Sequence, residues 1–245
     1  MGNPITSGEQ NHFKKDASME VILIPVLFVI GTILMIGFII WLVHLSEKKR
    51  RDALQAIATE LGLQFSATQN DDLMERMEEF SLFNKGHSRK IHNVMTTEAD
   101  SLRLTMFDYQ YTVGGGQNSQ THRQTVVAFE SDALELPAFS LRPEGFFNRI
   151  GAALGMQDID FAEHPEFSQS FMLSGLDEAA VREFFDQTLL DLFAKDKKVC
   201  LQSTEGAFVF FHKGRRKPEE IRGCMDQAFT IHTAFIDRLS RNSPG

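Results

Sequence analysis

The hydrophobic pattern divides the chain into one uninterrupted apolar run and a longer part in which apolar and polar residues alternate. The run covers residues 21–45 and contains no Asp, Glu, Lys or Arg. A helix of this length exceeds the roughly 30 Å hydrocarbon core of a bilayer, because each residue adds about 1.5 Å. It is also longer than the roughly 7–15 apolar residues of a signal peptide. The pattern therefore predicts a single membrane-spanning helix after a short N-terminal tail at residues 1–20.

The charges that flank the apolar run predict its orientation. Residues 47–51 contain four Lys or Arg side chains, whereas Lys14 and Lys15 on the other side are offset by Asp16 and Glu20. Positively charged flanks remain on the cytoplasmic side of a membrane. We therefore expect the C-terminal part of the chain to be cytoplasmic.

The first half of the remaining chain changes from a helical period to a period of two. Apolar spacing of three and four predicts a juxtamembrane helix over 46–62, which Gly62 ends. Alternation then predicts strands at 89–97, 102–113, 123–130 and 137–141. Within 102–113 the apolar set changes faces near Met106 and Phe107, which indicates either a bulge or a strand buried on both sides.

The second half combines short strands with amphipathic helices. We expect helices at 146–154 and 177–193, extended pieces at 158–161 and 166–173, strands at 199–202 and 207–212, and a last helix from Pro218. Asp177 is the expected N-cap of the 177–193 helix, and Leu176 is expected to pack onto Val181. Grouped strands with flanking helices predict an α+β domain at 63–241, mostly antiparallel, before a frayed tail at 242–245. A subdivision near Asp158 remains open.

Charge and cysteine content narrow the classes of function. Residues 52–245 carry 19 Lys or Arg and 29 Asp or Glu, a net charge of −10. Nucleic acid is not an expected partner, because binding its phosphates needs a basic face. The two cysteines do not form a CxxC pair, so they indicate neither a zinc knuckle nor a redox motif. We expect no cofactor, with a divalent metal as the alternative.

The clearest polar cluster places three carboxylates and one imidazole within seven residues. Its members are Asp158, Asp160, Glu163 and His164. Oxygen ligands with an imidazole can hold Mn²⁺, Mg²⁺ or Zn²⁺, which suits a metal-dependent hydrolase-like enzyme. In the other interpretation the aspartates are solvated while Ile159 and Phe161 face the core. No known spacing of metal ligands matches the cluster.

Other charged residues lie within apolar patterns. Asp108 and Arg142 are expected to form a partly buried structural pair in preference to a ligand cleft. His232 is expected to be a hydrogen-bonded core residue in preference to a ligand. The basic loop at 213–217 can contact anionic headgroups together with residues 48–51, or it can be a solvated turn, which is the favoured interpretation. No catalytic residue is identified.

Several short runs resemble those of a known group of proteins. They are Phe107-Asp108-Tyr109-Gln110-Tyr111, Gln124-Thr125-Val126, the run from Leu136 to Glu144, Asp158-Ile159-Asp160-Phe161, and His164-Pro165-Glu166-Phe167-Ser168. In this order they resemble a group of uncharacterised bacterial single-span membrane proteins, over most of residues 46–235. The resemblance implies a bacterial inner-membrane protein and no activity, ligand or catalytic residue.

These observations favour a membrane-anchored, non-enzymatic module. Its expected partners are the lipid bilayer and a protein, as in a module that assists a cell-envelope complex. The alternative is the metal-dependent enzyme that uses Asp158, Asp160 and His164.

Overall fold

A computed structural model describes residues 7–144 and 158–242, which divide into two compact units at Asp52. Helix α1 (Ser7–Glu60) makes up the described residues of the first unit and includes the first residues of the second. Within the described residues, α1 is the one helix long and apolar enough to cross a membrane, and its most apolar part is not buried. It starts before the predicted apolar run and includes most of the predicted juxtamembrane helix.

The second unit is built on one eight-stranded antiparallel sheet, so the predicted α+β class is confirmed. The strands are β1 (Gln64–Ser66), β2 (His87–Ala99), β3 (Leu102–Val113), β4 (Gln120–Glu130), β5 (Phe139–Pro143), β6 (Phe171–Gly175), β7 (Cys200–Thr204) and β8 (Ala207–Phe211). Their order across the sheet is β1-β2-β3-β4-β8-β7-β5-β6. The sheet therefore continues across the point near Asp158 where the sequence left a subdivision open.

Five α-helices follow α1 within the described residues of the second unit. They are α2 (Asp71–Met77), α3 (Pro165–Ser170), α4 (Glu178–Phe184), α5 (Gln187–Ala194) and α6 (Ile221–Asn242). The prediction of an extended piece over 166–173 was wrong in its first half, which is α3. His164 accepts a hydrogen bond from the Phe167 amide and Pro165 occupies the first turn, so the chain starts a helix there. The predicted helix at 146–154 lies outside the described residues.

The predicted 177–193 helix is two helices. Asp177 caps α4 as expected, because its side chain accepts a hydrogen bond from the Ala180 amide. The chain leaves the helix at Phe185, and Asp186 then caps α5 by accepting a hydrogen bond from the Leu189 amide. The predicted packing of Leu176 on Val181 was wrong, because Leu176 is 81% exposed.

Strand β3 is buried on both faces, which is one of the two explanations the sequence left open. Its register with β4 is unbroken from Arg103 to Val113. The bulge lies on the neighbouring strand β2, where Asn93 and Val94 together oppose Phe107. Asn93 adopts a positive φ of 53°, as bulge geometry often requires.

The two faces of the sheet carry separate cores. The first face packs Met106, Phe129 and Phe208 against α4, α5, α6 and the end of α1. The second face packs Phe107 and Tyr109 against α2 and the 3-10 turn that follows it. Burial of both faces explains the apolar runs at Val126–Phe129 in β4 and Ala207–Phe211 in β8.

Candidate functional site

The predicted metal cluster is spread over a loop and a helix start. Asp158 accepts a hydrogen bond from the Leu173 amide at 2.9 Å, whereas Asp160 and Glu163 are exposed. Ile159 and Phe161 are buried between them. This is the alternation expected of a segment whose apolar side chains face the core.

Both ring nitrogens of His164 are engaged in hydrogen bonds. Nδ1 accepts from the Phe167 amide at 3.3 Å, so Nε2 carries the proton and donates to Asp191 Oδ1 at 2.9 Å. This hydrogen bond holds the pKa of Asp191 below its usual value. Among the side chains that the structure describes, no group of three or more His, Cys, Asp or Glu residues is arranged to hold a metal ion.

Asp108 and Arg142 lie on different parts of the sheet. Asp108 is on β3 and Arg142 is on β5, four strand spacings away, which is about 19 Å. Asp108 is buried and accepts hydrogen bonds from Asn93 Nδ2 at 3.0 Å and Thr125 Oγ1 at 3.2 Å. Arg142 instead contacts the Met172 sulfur. The structure therefore gives each residue a separate structural setting.

His232, on α6, is partly buried against the core. Its ring stacks on Phe129, with centroids 4.8 Å apart and the planes 17° from parallel. Burial lowers its pKa below the usual value, so the neutral imidazole is favoured in the folded protein.

Charge is segregated between the two ends of the sheet. The strand register brings the β2–β3, β4–β5 and β7–β8 connections to one end. We call this the acidic end, and its exposed or partly exposed carboxylates are Glu98, Asp100, Glu130, Asp132, Glu135 and Glu205. We call the opposite end the basic end, and its exposed cations include Lys90, Arg123, Lys197, Lys198, Lys213 and Lys217.

An open cleft of about 440 Å³ lies at the acidic end, between the end of α2 and the sheet. Its charged lining consists of Arg76, Arg103, Glu79, Glu98, Glu130, Asp132 and Glu205. Arg76 Nε is 3.1 Å from Glu130 Oε1, and Arg103 Nη2 is 3.0 Å from Glu98 Oε2. The two arginines therefore neutralise two carboxylates and leave an excess of negative charge.

Glu130 gives the cleft a specific acceptor. Its Oε2 atom is buried and has no hydrogen-bond partner within the described part of the chain. A buried acceptor without a donor is unfavourable by about 1–3 kcal/mol. A donor in the cleft would remove this cost once the Glu130 carboxylate turns towards it. The cleft could not be predicted from the sequence, because its residues are up to 131 positions apart and meet only through the order of the strands.

The fold defines the class of this chain as an antiparallel α+β domain that follows one membrane-capable helix. No family model matches the sequence. No curated protein matches it either. Its structure is similar to the crystal structure of the mycobacterial trehalose monomycolate transport factor A, TtfA, with a TM-score of 0.57 and 13% identity. The match covers 81% of this chain and 97% of that one, and at this identity it shows a likeness of fold alone.

Proposed function

We propose that this chain is a membrane-anchored, non-enzymatic module that binds a protein partner within a cell-envelope complex. The cleft at the acidic end is the observation that carries the proposal. It is open to solvent, lined by charge and provided with a buried acceptor that lacks a donor. A partner that inserts a basic or amide side chain would satisfy Glu130 Oε2.

The settings of the titratable side chains support a non-enzymatic role. His164 positions the start of α3, Asp158 holds β6, and His232 stacks within the core. Each of these groups is therefore used to hold the fold together. The structural neighbour, a transport factor for trehalose monomycolate by its name, supports a role in the cell envelope.

The orientation belongs to the same proposal. The apolar helix anchors the chain in a bacterial inner membrane, and the four positive charges at residues 48–51 hold the C-terminal domain in the cytoplasm. A C-terminal alkaline phosphatase fusion should be inactive, since that enzyme needs the periplasm to fold. An active fusion would instead place the domain outside the cytoplasm.

Site-specific crosslinking in intact cells tests partner binding. A photoreactive amino acid replaces Glu205, which lines the cleft, or Glu163, an exposed acid outside it. We expect a discrete crosslinked protein from position 205 and none from position 163. The same products from both positions, or none from position 205, would contradict partner binding in the cleft.

A further inference from the structure

The basic end of the sheet carries several exposed cations in a domain whose net charge is negative. It extends from Lys90 on β2 through Arg123 on β4 to two connections, the one that precedes β7 and the one that follows β8. Those connections contribute Lys197 and Lys198 on one side, and residues 213–217 on the other. The net charge of residues 52–245 is negative although this surface carries cations, because the excess of Asp and Glu lies in other parts of the domain.

The loop at 213–217 is held in place against the sheet. Pairing between β4 and β8 ends at Val126 and Phe211, so residues 120–125 extend beyond β8. The Arg216 amide donates a hydrogen bond to Thr125 Oγ1 at 3.0 Å, which fixes the loop beside this extension. Lys213 and Lys217 remain exposed on either side of the attachment. The loop is therefore a structured part of the surface.

Three acidic residues near Lys198 and the 213–217 loop have partners within the protein. Asp196 accepts hydrogen bonds from His212 Nε2 at 2.9 Å and Gln227 Nε2 at 2.6 Å. Burial alone would raise the pKa of Asp196, but these hydrogen bonds hold it below its usual value. Glu220 accepts a hydrogen bond from the Lys217 amide at 2.8 Å, and Asp108 is buried. These carboxylates therefore do not occupy the exposed lysine ammonium groups.

The positive charge of Arg123, on β4, is likewise not neutralised by its side-chain contact. Its Nε donates to the neutral Gln110 side chain at 2.9 Å, so this contact orients the guanidinium without neutralising it. Lys90 lies across the sheet in the same row, since it pairs with Gln110. Both cations are exposed.

We propose that the basic end binds the anionic headgroups of the bilayer into which the helix is inserted. The proposal rests on the membrane anchoring proposed above. An anchored domain meets lipid headgroups at a high local concentration, and each Lys or Arg near an anionic leaflet adds attraction. The contact would leave the acidic cleft, at the opposite end of the sheet, directed away from the lipid and open to a partner.

Hydrogen exchange of the full-length chain in nanodiscs tests the proposal. The discs contain phosphatidylcholine alone or phosphatidylcholine mixed with phosphatidylglycerol. In the anionic discs we expect slower exchange at 87–90, 120–125 and 212–217, reversed by high salt because the attraction is screened. Exchange at the acidic end, around Glu98 and Glu205, should be the same in both discs.

A pair of matched variants assigns the effect to the basic end. Lys213→Ser with Lys217→Ser should lower the lipid-dependent protection by about 25-fold, since each basic residue contributes roughly fivefold near an anionic surface. Arg103→Ser, which removes a cation from the acidic end, should leave the protection unchanged.

Three outcomes would overturn the proposal. Equal exchange in both discs would exclude binding to anionic headgroups. Protection by a polyglutamate peptide but not by anionic discs would assign the surface to an acidic protein. Failure of the chain to enter either disc would contradict the anchoring itself, whereas entry without protection would contradict the headgroup contact alone.

Discussion

Single polar residues in this domain start elements and stabilise their ends. Asp177, Asp186 and His164 each accept a hydrogen bond from a backbone amide at the start of a helix. The role of Asp177 could be predicted because a cap and its helix are adjacent in sequence. The role of His164 could not, because its second partner, Asp191, is 27 residues away. The polar residues at 158–164 are close in sequence and therefore suggested a metal site. In the fold they have separate roles.

Asp186 is the residue on which the junction between α4 and α5 depends. It caps α5 and also pairs with Arg241 Nη1 at 3.0 Å. Asp186→Ala should lower the free energy of unfolding by about 2 kcal/mol, because both interactions are lost. Asp186→Asn keeps the cap and should lose less than half of that. Equal losses in the two variants would show that the cap contributes nothing.

The buried thiols provide a probe for this measurement in the full-length chain. Cys200 and Cys224 are 1% and 5% exposed, and burial raises their pKa values to about 12 and about 11. Both thiols are therefore unreactive until the domain unfolds. The rate of thiol labelling across a denaturant series gives the free energy of unfolding.

His232 should make the stability of the domain depend on pH. Burial lowers its pKa in the folded state below the usual 6.5, so the unfolded chain binds more protons. The resulting stability is fully present above pH 6.5 and is lost as the pH falls towards the folded pKa. His232→Phe, which keeps the ring stacked on Phe129, should reduce this loss between pH 7 and pH 5.

The result for His232→Phe needs a comparison with His212, whose pKa is also lowered by burial. Some pH dependence should therefore remain in the variant. An unchanged dependence, measured by thiol labelling, would show that His232 does not titrate differently in the folded protein.

At the scale of elements, alternation identified the strands well. The predicted strand at 102–113 coincides with β3, and those at 199–202 and 207–212 agree with β7 and β8 within two residues. The break between α4 and α5 escaped detection because the apolar stripe continues through it, and both Phe184 and Phe185 are buried. The β2 bulge escaped for a related reason. It displaces Asn93 within a run of buried residues, whereas the change of face in β3 reflects burial of that strand on both sides.

Gly175, at the end of β6, tests the packing of this strand against α4. A Cβ atom there would lie 2.6 Å from Val181 Cγ2 and 2.9 Å from the Ala138 carbonyl oxygen. Gly175→Ala should therefore lower the free energy of unfolding by about 1–3 kcal/mol. Gly115→Ala is the matched control, because its φ is −154° and no atom lies within 4 Å of the added Cβ. A neutral result for Gly175→Ala would contradict the close approach of these elements.

The order of strands determines the properties of the second unit as a whole. Sequence analysis predicted its fold class, but it could not predict that β8 lies between β4 and β7. That order brings distant loops together and segregates charge into a basic and an acidic end. A net charge of −10 for residues 52–245 therefore describes neither end. Whether Asp108 and Arg142 could pair also depended on the strand order, which separates the two residues.

The central claim is that the anchored chain works by binding a protein partner. Native mass spectrometry of the full-length chain, extracted gently from membranes, tests it most directly. The account predicts a complex of the chain with a stoichiometric partner protein. A lone chain that carries a stoichiometric divalent metal or small molecule would contradict it, and would make Asp158, Asp160 and His164 the first residues to substitute.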